Sequence, residues 1–524
     1  MLAQSVLARD PGVRAPLISH RHERAIPARD LDVPFLVDAL GGEGTLVFEP
    51  PGDGPVIGGC LILPRPLLRV TLRGSVLTAR ALGPRGACLL PAVVSCLGRP
   101  LSGDRVCFST IVEEASKDPA RSDGERLRSP SFLDPLRRLL ALFREEDPGL
   151  FPVCLAGALG HDLVDHLEEL PPRPPDPVAE PDLDLVLGAD AILLDRRGGR
   201  AVVVTRGLET DLQDPRQRLE EWIHALECAP GEPRQHAPQN GSREDLPGFS
   251  ADLTDEEFES GVSTLLHRIR CGDVFQAVLS RRLTVESRAR SLDVFRHLRS
   301  LEAASYRFFF RCQEGELLGA SPESYLTVKG DHAGLTPIAG TVERRNDVEE
   351  DGRLAVALLL DRKEQAEHAM LVDLARNDLA RISVPGTRRL ERSFHVEPYG
   401  CVQHIVSRVG GTLAPGIDAF SAYRGCIGPG TLTGAPKLRA LELLRGIEKT
   451  GRGFYGGALA VFTASGDLES CIVIRSIRMT AGQAIVRSGA GIVRDSVPSR
   501  ELAETLAKAR TPLLALARAG STAS

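Results

Sequence analysis

The stretch Lys363-Glu-Gln-Ala-Glu-His-Ala-Met-Leu-Val-Asp-Leu-Ala-Arg-Asn-Asp-Leu-Ala-Arg-Ile382 organises the reading of the whole chain. Glu364, Glu367, His368 and Leu371 recur at intervals of three and four, so a helix brings them onto neighbouring positions of one face. Met370, Leu371, Leu374 and Leu379 supply an apolar side to anchor it. A second Glu-x-x-Glu pair, Glu501 and Glu504, stands in Arg500-Glu-Leu-Ala-Glu-Thr-Leu-Ala-Lys-Ala509. Two helices that each offer such a pair could hold a hard cation, because Mg²⁺ takes oxygen ligands and needs only one or two carboxylates besides substrate and water. On these segments alone, solvated helix charges with pairs such as Lys363–Glu367 are the favoured account of the pattern, since surface Glu is the norm.

Outward from this helix, the second half alternates strand-like runs (274–285, 306–311, 325–328, 457–463, 471–479, 484–488) with helical ones (349–381, 417–425, 436–449, 500–517). The first half carries short alternating runs at 45–49, 56–57, 60–63, 68–72 and 75–79, then at 185–194 and 201–205. Gly and Pro punctuate them, as in an antiparallel sheet. Residues 131–146 and 209–227, the latter around Trp222, read as helices, and 157–170 as a Gly-rich turn leading into one. The expected class is α+β, with large sheets covered by helices. Residues 1 to about 30 are rich in Arg and Pro and are expected to be poorly ordered. An N-terminal region over 31–227, a Pro/Gly/Gln-rich linker over 228–250 and a second region over 251–518 follow. The second region opens with a capping box, Thr254-x-x-Glu257.

Composition excludes several classes. Lys and Arg total 64 against 70 Asp and Glu, for a net charge of −6, which argues against a general nucleic-acid binder. The 11 cysteines form no C-x-x-C, so neither a zinc knuckle nor a disulfide framework is expected. No apolar run is long enough for a membrane span, and no signal peptide is read at the start; a cytoplasmic enzyme is the expectation.

Three further segments carry chemistry. They are Gly272-Asp-Val-Phe-Gln-Ala-Val-Leu-Ser-Arg-Arg282; Gly319-Ala-Ser-Pro-Glu-Ser324 with Thr336-Pro-Ile-Ala-Gly-Thr341; and the series Gly428–Lys437, Tyr455–Gly457, Cys471–Ser476 and Ser488–Ile492. In this order and spacing the chain resembles the chorismate-utilising enzymes, most closely anthranilate synthase component I. The resemblance is dense over 250–515 and looser before. It implies two β-sheets packed as a sandwich with helices outside and the active site between the layers. It also implies chorismate, a dianion with an enolpyruvyl ether, bound through Mg²⁺.

The same resemblance assigns residues. Glu367 and Glu504 match the Mg²⁺ ligands, with Glu364 and Glu501 nearby. The cation stands between acidic side chains and a dianion that they would otherwise repel. Glu323 matches the general acid toward the C4 hydroxyl, a poor leaving group unless protonated. His404, in an alternating strand-like run, matches the residue tied to loss of pyruvate. Thr431 is placed with the catalytic set; Thr341, Gly430, Tyr455, Arg475, Gly489, Gly491 and Lys508 are placed as substrate contacts. Arg475 can grip a carboxylate bidentately. Pro436 and Lys437 read as structural, since Pro is tolerated at a helix start.

Two positions select the incoming group. Isochorismate and salicylate synthases of the family carry a lysine where this chain has Gln276, and aminodeoxychorismate synthases carry one where it has Ala339. Lacking both, the chain is expected to admit ammonia at C2, giving 2-amino-2-deoxyisochorismate (ADIC). Ammonia would come from glutamine through a separate glutamine amidotransferase subunit; a homo-oligomer is left open. A feedback-insensitive anthranilate synthase component I that also expels pyruvate is the alternative, and a catalytically dead scaffold a more distant one. The family's tryptophan-feedback pocket is altered: Pro50 follows Val47-Phe-Glu49, and Arg307 ends Ala303-Ala-Ser-Tyr-Arg307. A cation facing an indole is costly to desolvate, so tryptophan binding is not expected. Gly428-Pro429 and His161 are further departures.

Overall fold

The computed structural model describes residues 18–521 except 29–30, 53, 55, 98–101, 104–106, 112–121, 148, 209–213, 233–245, 303, 346 and 400–401. Most of the expected linker thus lies outside the described residues, as do residues 1–17. Among the described residues the strands form one 12-stranded and one 13-stranded sheet, paired antiparallel. Helices cover the outer faces, so the α+β sandwich is the observed architecture.

Both sheets run through both halves of the chain. In the first sheet, Leu46–Glu49 pairs with Tyr306–Cys312, with Phe48 opposite Phe308. In the second, Cys154–Leu159 pairs with Ala458–Thr463. The inter-sheet core draws on both sheets: Phe48, Leu61 and Phe308 from the first meet Ala156, Val186 and Leu459 from the second. Outside the first sheet, Val33–Leu40, Pro215–Cys228, Ser291–Leu301 and Pro498–Ser521 bury Trp222, Phe295 and Leu513. Outside the second, Asp134–Ala141, Arg362–Ile382 and Ala419–Gly425 bury Leu136, Leu379 and Phe420.

The differences from the sequence reading have local causes. Ile18–Pro27, expected to be poorly ordered, is a strand paired with Arg200–Leu208; its ladder partner, not its composition, orders it. The helix read over 131–146 spans only Asp134–Ala141, with Pro135 in its first turn. The one read over 209–227 spans Pro215–Cys228, with Asp214 as N-cap. The run 349–381 is two helices, Val348–Leu360 and Arg362–Ile382, because Asp361 ends one and its carboxylate accepts from Lys363 N and Glu364 N to cap the next. The helix Pro84–Leu97 escaped the reading because Pro91 lies inside it. The run 471–479 is two strands, Leu468–Ile472 and Ser476–Thr480. That break carries functional weight, because its two strands belong to different sheets. No described helix is long and apolar enough to cross a membrane.

Candidate active site

Two adjacent crossovers build the centre of the site. Gly315–Ser321 lies in the first sheet and Thr327–Lys329 in the second, so the chain between them passes from layer to layer and carries Glu323 with it. The break at Val473–Arg475 makes the same passage in the opposite direction and carries Arg475. The crossovers are tied together: Ile472 N donates to Glu323 O at 3.1 Å, and Ala320 N to Arg475 O at 3.1 Å. Arg475 has φ +49, a left-handed backbone unusual outside glycine, and Arg475 Nη1 donates to Lys508 O at 3.1 Å.

Burial between the layers pushes the Glu323 carboxyl up to about 7, partly opposed by the neighbouring Thr431 hydroxyl and the Lys508 ammonium. Thr431 Oγ1 is buried beside this carboxyl and has no other hydrogen-bond partner among the described residues. Glu323, Gly430 and Thr431 line one cavity with Leu371 and Leu374, which the sequence reading had placed on the anchoring side of the helix. The helix anchors through Leu379, as expected, together with His368, Val372, Ala375 and Ile382. A Cβ at Gly430 would lie 2.7 Å from Leu374 Cδ1, so a larger residue there would displace that leucine side chain.

The hairpin of Arg389–Tyr399 and Val402–Thr412 brings up His404, whose Nδ1 lies 2.7 Å from Gly340 O. An N–H at Nδ1 donating there leaves Nε2 as the basic nitrogen. Burial and the Arg475 charge hold this imidazole below its usual value, so it is neutral at pH 7. Gly340 has φ +64, and a Cβ on it would lie 3.1 Å from Glu364 Oε2. The His404 and carboxylate parts of the site therefore meet at this glycine, which sequence reasoning passed over although it stands in Pro337-Ile-Ala-Gly-Thr341. The side chain of Thr341 lies outside the described residues.

The two Glu-x-x-Glu pairs lie within electrostatic reach of one another. Burial, the charge of Glu367 and that of Glu504 raise Glu364. Glu501 is likewise raised by burial and by Glu504 and opposed by Lys363. Lys363 belongs to one helix and Glu501 to the other, so their mutual influence closes the gap between them. Each predicted ligand has its own ammonium: Lys363 lies 3.3 Å from Glu367, and Lys508 2.7 Å from Glu504. Among the described residues no group of three or more His, Cys, Asp and Glu stands close enough to hold a metal. The donor set still suits Mg²⁺: it is all oxygen, carries excess negative charge across two helices, and one or two carboxylates suffice when substrate and water complete the shell.

The remaining predicted contacts join the same constellation. Lys508 Nζ donates to Gly489 O at 3.0 Å. A Cβ on Gly489 would lie 3.2 Å from Tyr455 Oη, and one on Gly491 2.9 Å from Gln276 Nε2. Gln276 Oε1 is buried without a hydrogen-bond partner among the described residues. Behind Tyr455, Glu448 binds Arg452 at 2.7 Å and Arg487 at 3.2 Å, and His161 Nε2 lies 3.3 Å from Arg452 Nη1. Lys437 holds Asp378 at 3.0 Å and donates to Ile427 O at 3.1 Å, the structural role expected of it. A second support, His368–Ser407 at 2.7 Å, locks the carboxylate helix to the His404 strand.

Enzymes described as chorismate binding share a family pattern that matches residues 101–514. The chain belongs to this chorismate-binding enzyme family. It is 37% identical to anthranilate synthase component 1 of Serratia marcescens over 86% of this chain and 88% of that one. It is 38% identical to the pyocyanine-specific anthranilate synthase component 1 of Pseudomonas aeruginosa, over 86% of each. The crystal structure of anthranilate synthase component I from Streptococcus pneumoniae superposes with a TM-score of 0.68 at 28% identity, covering 86% of this chain and 91% of that chain. The expected class, a chorismate-utilising enzyme on the component I fold, is therefore the observed one.

Proposed function

We propose that the chain aminates chorismate at C2, forming ADIC, with ammonia derived from glutamine on a separate amidotransferase subunit, for a specialised pathway. The observation that carries this reading is Gln276. Its uncharged amide lies beside Gly491, where relatives that use water keep a lysine, and Ala339 likewise offers no nucleophile. Ammonia attacks C2 while the ring double bonds shift and the C4 oxygen leaves. Glu323, protonated below about pH 7, delivers the proton that lets it leave as water. Arg475 grips a carboxylate, and the Gly489–Gly491 backbone admits the substrate closely. Mg²⁺, held by Glu367 and Glu504 with Glu364 and Glu501 beside them, would neutralise the ring carboxylate.

A second reading rests on His404. A neutral imidazole, oriented by Gly340 O, is a competent base for the elimination of pyruvate that completes anthranilate. One experiment separates the readings. Purified protein is incubated with chorismate, Mg²⁺ and an ammonium salt, and products are identified by mass and fluorescence. ADIC that keeps its enolpyruvyl group is the expected product. Anthranilate with stoichiometric pyruvate supports the second reading, and unconsumed chorismate refutes both.

A further inference from the structure

A larger cavity adjoins the one beside Glu323. It encloses about 760 Å³, a size suited to a small organic molecule. Its walls come from both sheets: Glu49–Gly52 and Ala304–Arg307 from the first, Thr336, Ile338, Val406 and Arg408 from the second, with the edge strand carrying Arg392, His395 and Glu397. This is the place where the family resemblance puts a feedback pocket for an indole.

The chemistry lining it is not that of an indole pocket. Four guanidinium groups, of Arg197, Arg307, Arg392 and Arg408, face two carboxylates, of Glu49 and Glu397. Glu49 is largely consumed elsewhere, by Arg299 at 2.5 Å and Arg196 at 3.5 Å, and is shared with Arg307 at 3.4 Å. Glu397 serves Arg392 at 3.3 Å and His395 at 2.7 Å. Arg197 and Arg408 have no ion-pair partner among the described residues. Glu469, the other carboxyl that Arg408 feels, is turned away to accept from Tyr306 Oη at 3.1 Å and Val56 N at 3.2 Å.

Two hydroxyls add a separate signal. Ser305 Oγ and Ser324 Oγ are buried on this wall with no hydrogen-bond partner among the described residues. Native proteins seldom leave buried polar atoms unpaired, and an absent ligand or water is a regular reason. A hollow with surplus guanidinium charge and two idle hydroxyls matches an oxyanion, which guanidinium forks bind bidentately and hydroxyls complete.

We propose that this cavity, which adjoins the Glu323 cavity across the shared wall residues Ser324 and Thr336, is a second ligand site that takes a small organic dianion through Arg197 and Arg408 with Ser305 and Ser324. The surplus of two positive charges on the wall matches the charge of that ligand. The wall residues Pro322 and Ser324 flank Glu323 in the chain, so a ligand here sits one residue from the candidate acid.

Isothermal titration calorimetry of the full chain tests this, with isophthalate and succinate as dianions and benzoate as the monoanion. At least one dianion is expected to bind saturably, and benzoate roughly tenfold more weakly. The double variant Arg197→Ala/Arg408→Ala should lose about tenfold or more in dianion affinity while keeping chorismate turnover, since both side chains are exposed and neither lines the cavity beside Glu323. Arg475→Ala, altered at the chorismate site, should keep dianion binding. Absence of saturable binding by either dianion overturns the proposal. So does unchanged affinity in the double variant, or binding lost in Arg475→Ala but kept in the double variant. Because turnover is measured separately, these failures leave the chorismate reading standing or falling on its own.

Discussion

The ammonium of Lys508 lies 2.7 Å from the carboxylate of Glu504 and 3.0 Å from the carbonyl of Gly489. One side chain thus links a candidate Mg²⁺ ligand to the strand Gln483–Ile492, whose glycines are expected to receive substrate. Lys363 holds Glu367 in the same way from the facing helix. A divalent cation entering between the helices must compete with an ammonium at each ligand, and dianion binding supplies the charge that favours it.

From this follows a first prediction. Glu367→Gln and Glu504→Gln should each abolish Mg²⁺-dependent turnover while shifting stability by no more than about 1 kcal/mol, as expected for part-exposed ion pairs. Thermal melting and a Mg²⁺ titration of activity check both halves. Undiminished turnover would refute the ligand assignment.

The elevated Glu323 carboxyl sets a pH dependence. Turnover should fall as pH rises through about 7, as the acid loses its proton, and Glu323→Gln should lose roughly 10²- to 10⁴-fold. Stability carries the same signature. The folded value lies above the unfolded value of 4.5, so the favourable contribution is complete below 4.5 and lost as pH rises to about 7. Glu323→Gln should therefore melt higher than the parent at pH 8 and lose that advantage at pH 4.

Gly489 and Gly491, expected in a turn, lie within the strand Gln483–Ile492 that pairs with Gln276–Glu286, and the two glycines should fail differently. A Cβ at Gly491 meets only the movable end of Gln276, so Gly491→Ala should fold normally yet lose roughly tenfold or more in kcat/KM through displaced substrate. A Cβ at Gly489 meets the Leu279 carbonyl at 2.8 Å, and backbone cannot give way as readily. Gly489→Ala should cost about 1–3 kcal/mol, read from denaturant unfolding.

Glu448 is buried and accepts from Ser280 N at 2.9 Å and Oγ at 2.8 Å as well as from two arginines. The charges of Arg452 and Arg487 outweigh its burial and hold its carboxyl at about 2. Its stabilising contribution is thus present above 4.5 and lost as pH falls toward 2. Glu448→Gln should destabilise by about 3 kcal/mol or more, because two guanidinium groups lose their counter-charge.

Arg307 and Pro50 both line the large inter-sheet cavity. Calorimetry with L-tryptophan at roughly millimolar concentration should show no saturable binding; a clear isotherm would overturn that expectation.

The sequence by itself determined the class of chemistry and its parts. The Glu-x-x-Glu spacing on two helices, Ser321-Pro-Glu323 and the glycine turns are local patterns, and helical or extended geometry alone fixes which residues share a face. The identity of Gln276 and Ala339 likewise needs no coordinates. Other features depended on contacts far apart in the chain. Ile18–Pro27 is a strand because Arg200–Leu208 offers a ladder. The run 471–479 breaks because its halves belong to different sheets, and that crossing places Arg475 beside the Glu323 crossover. The elevation of Glu323, the meeting of His404 and Glu364 at Gly340, and the gathering of four arginines around one cavity are likewise tertiary. Each depends on which segments desolvate one another, and burial and charge at a distance in sequence are set by packing rather than by any local pattern.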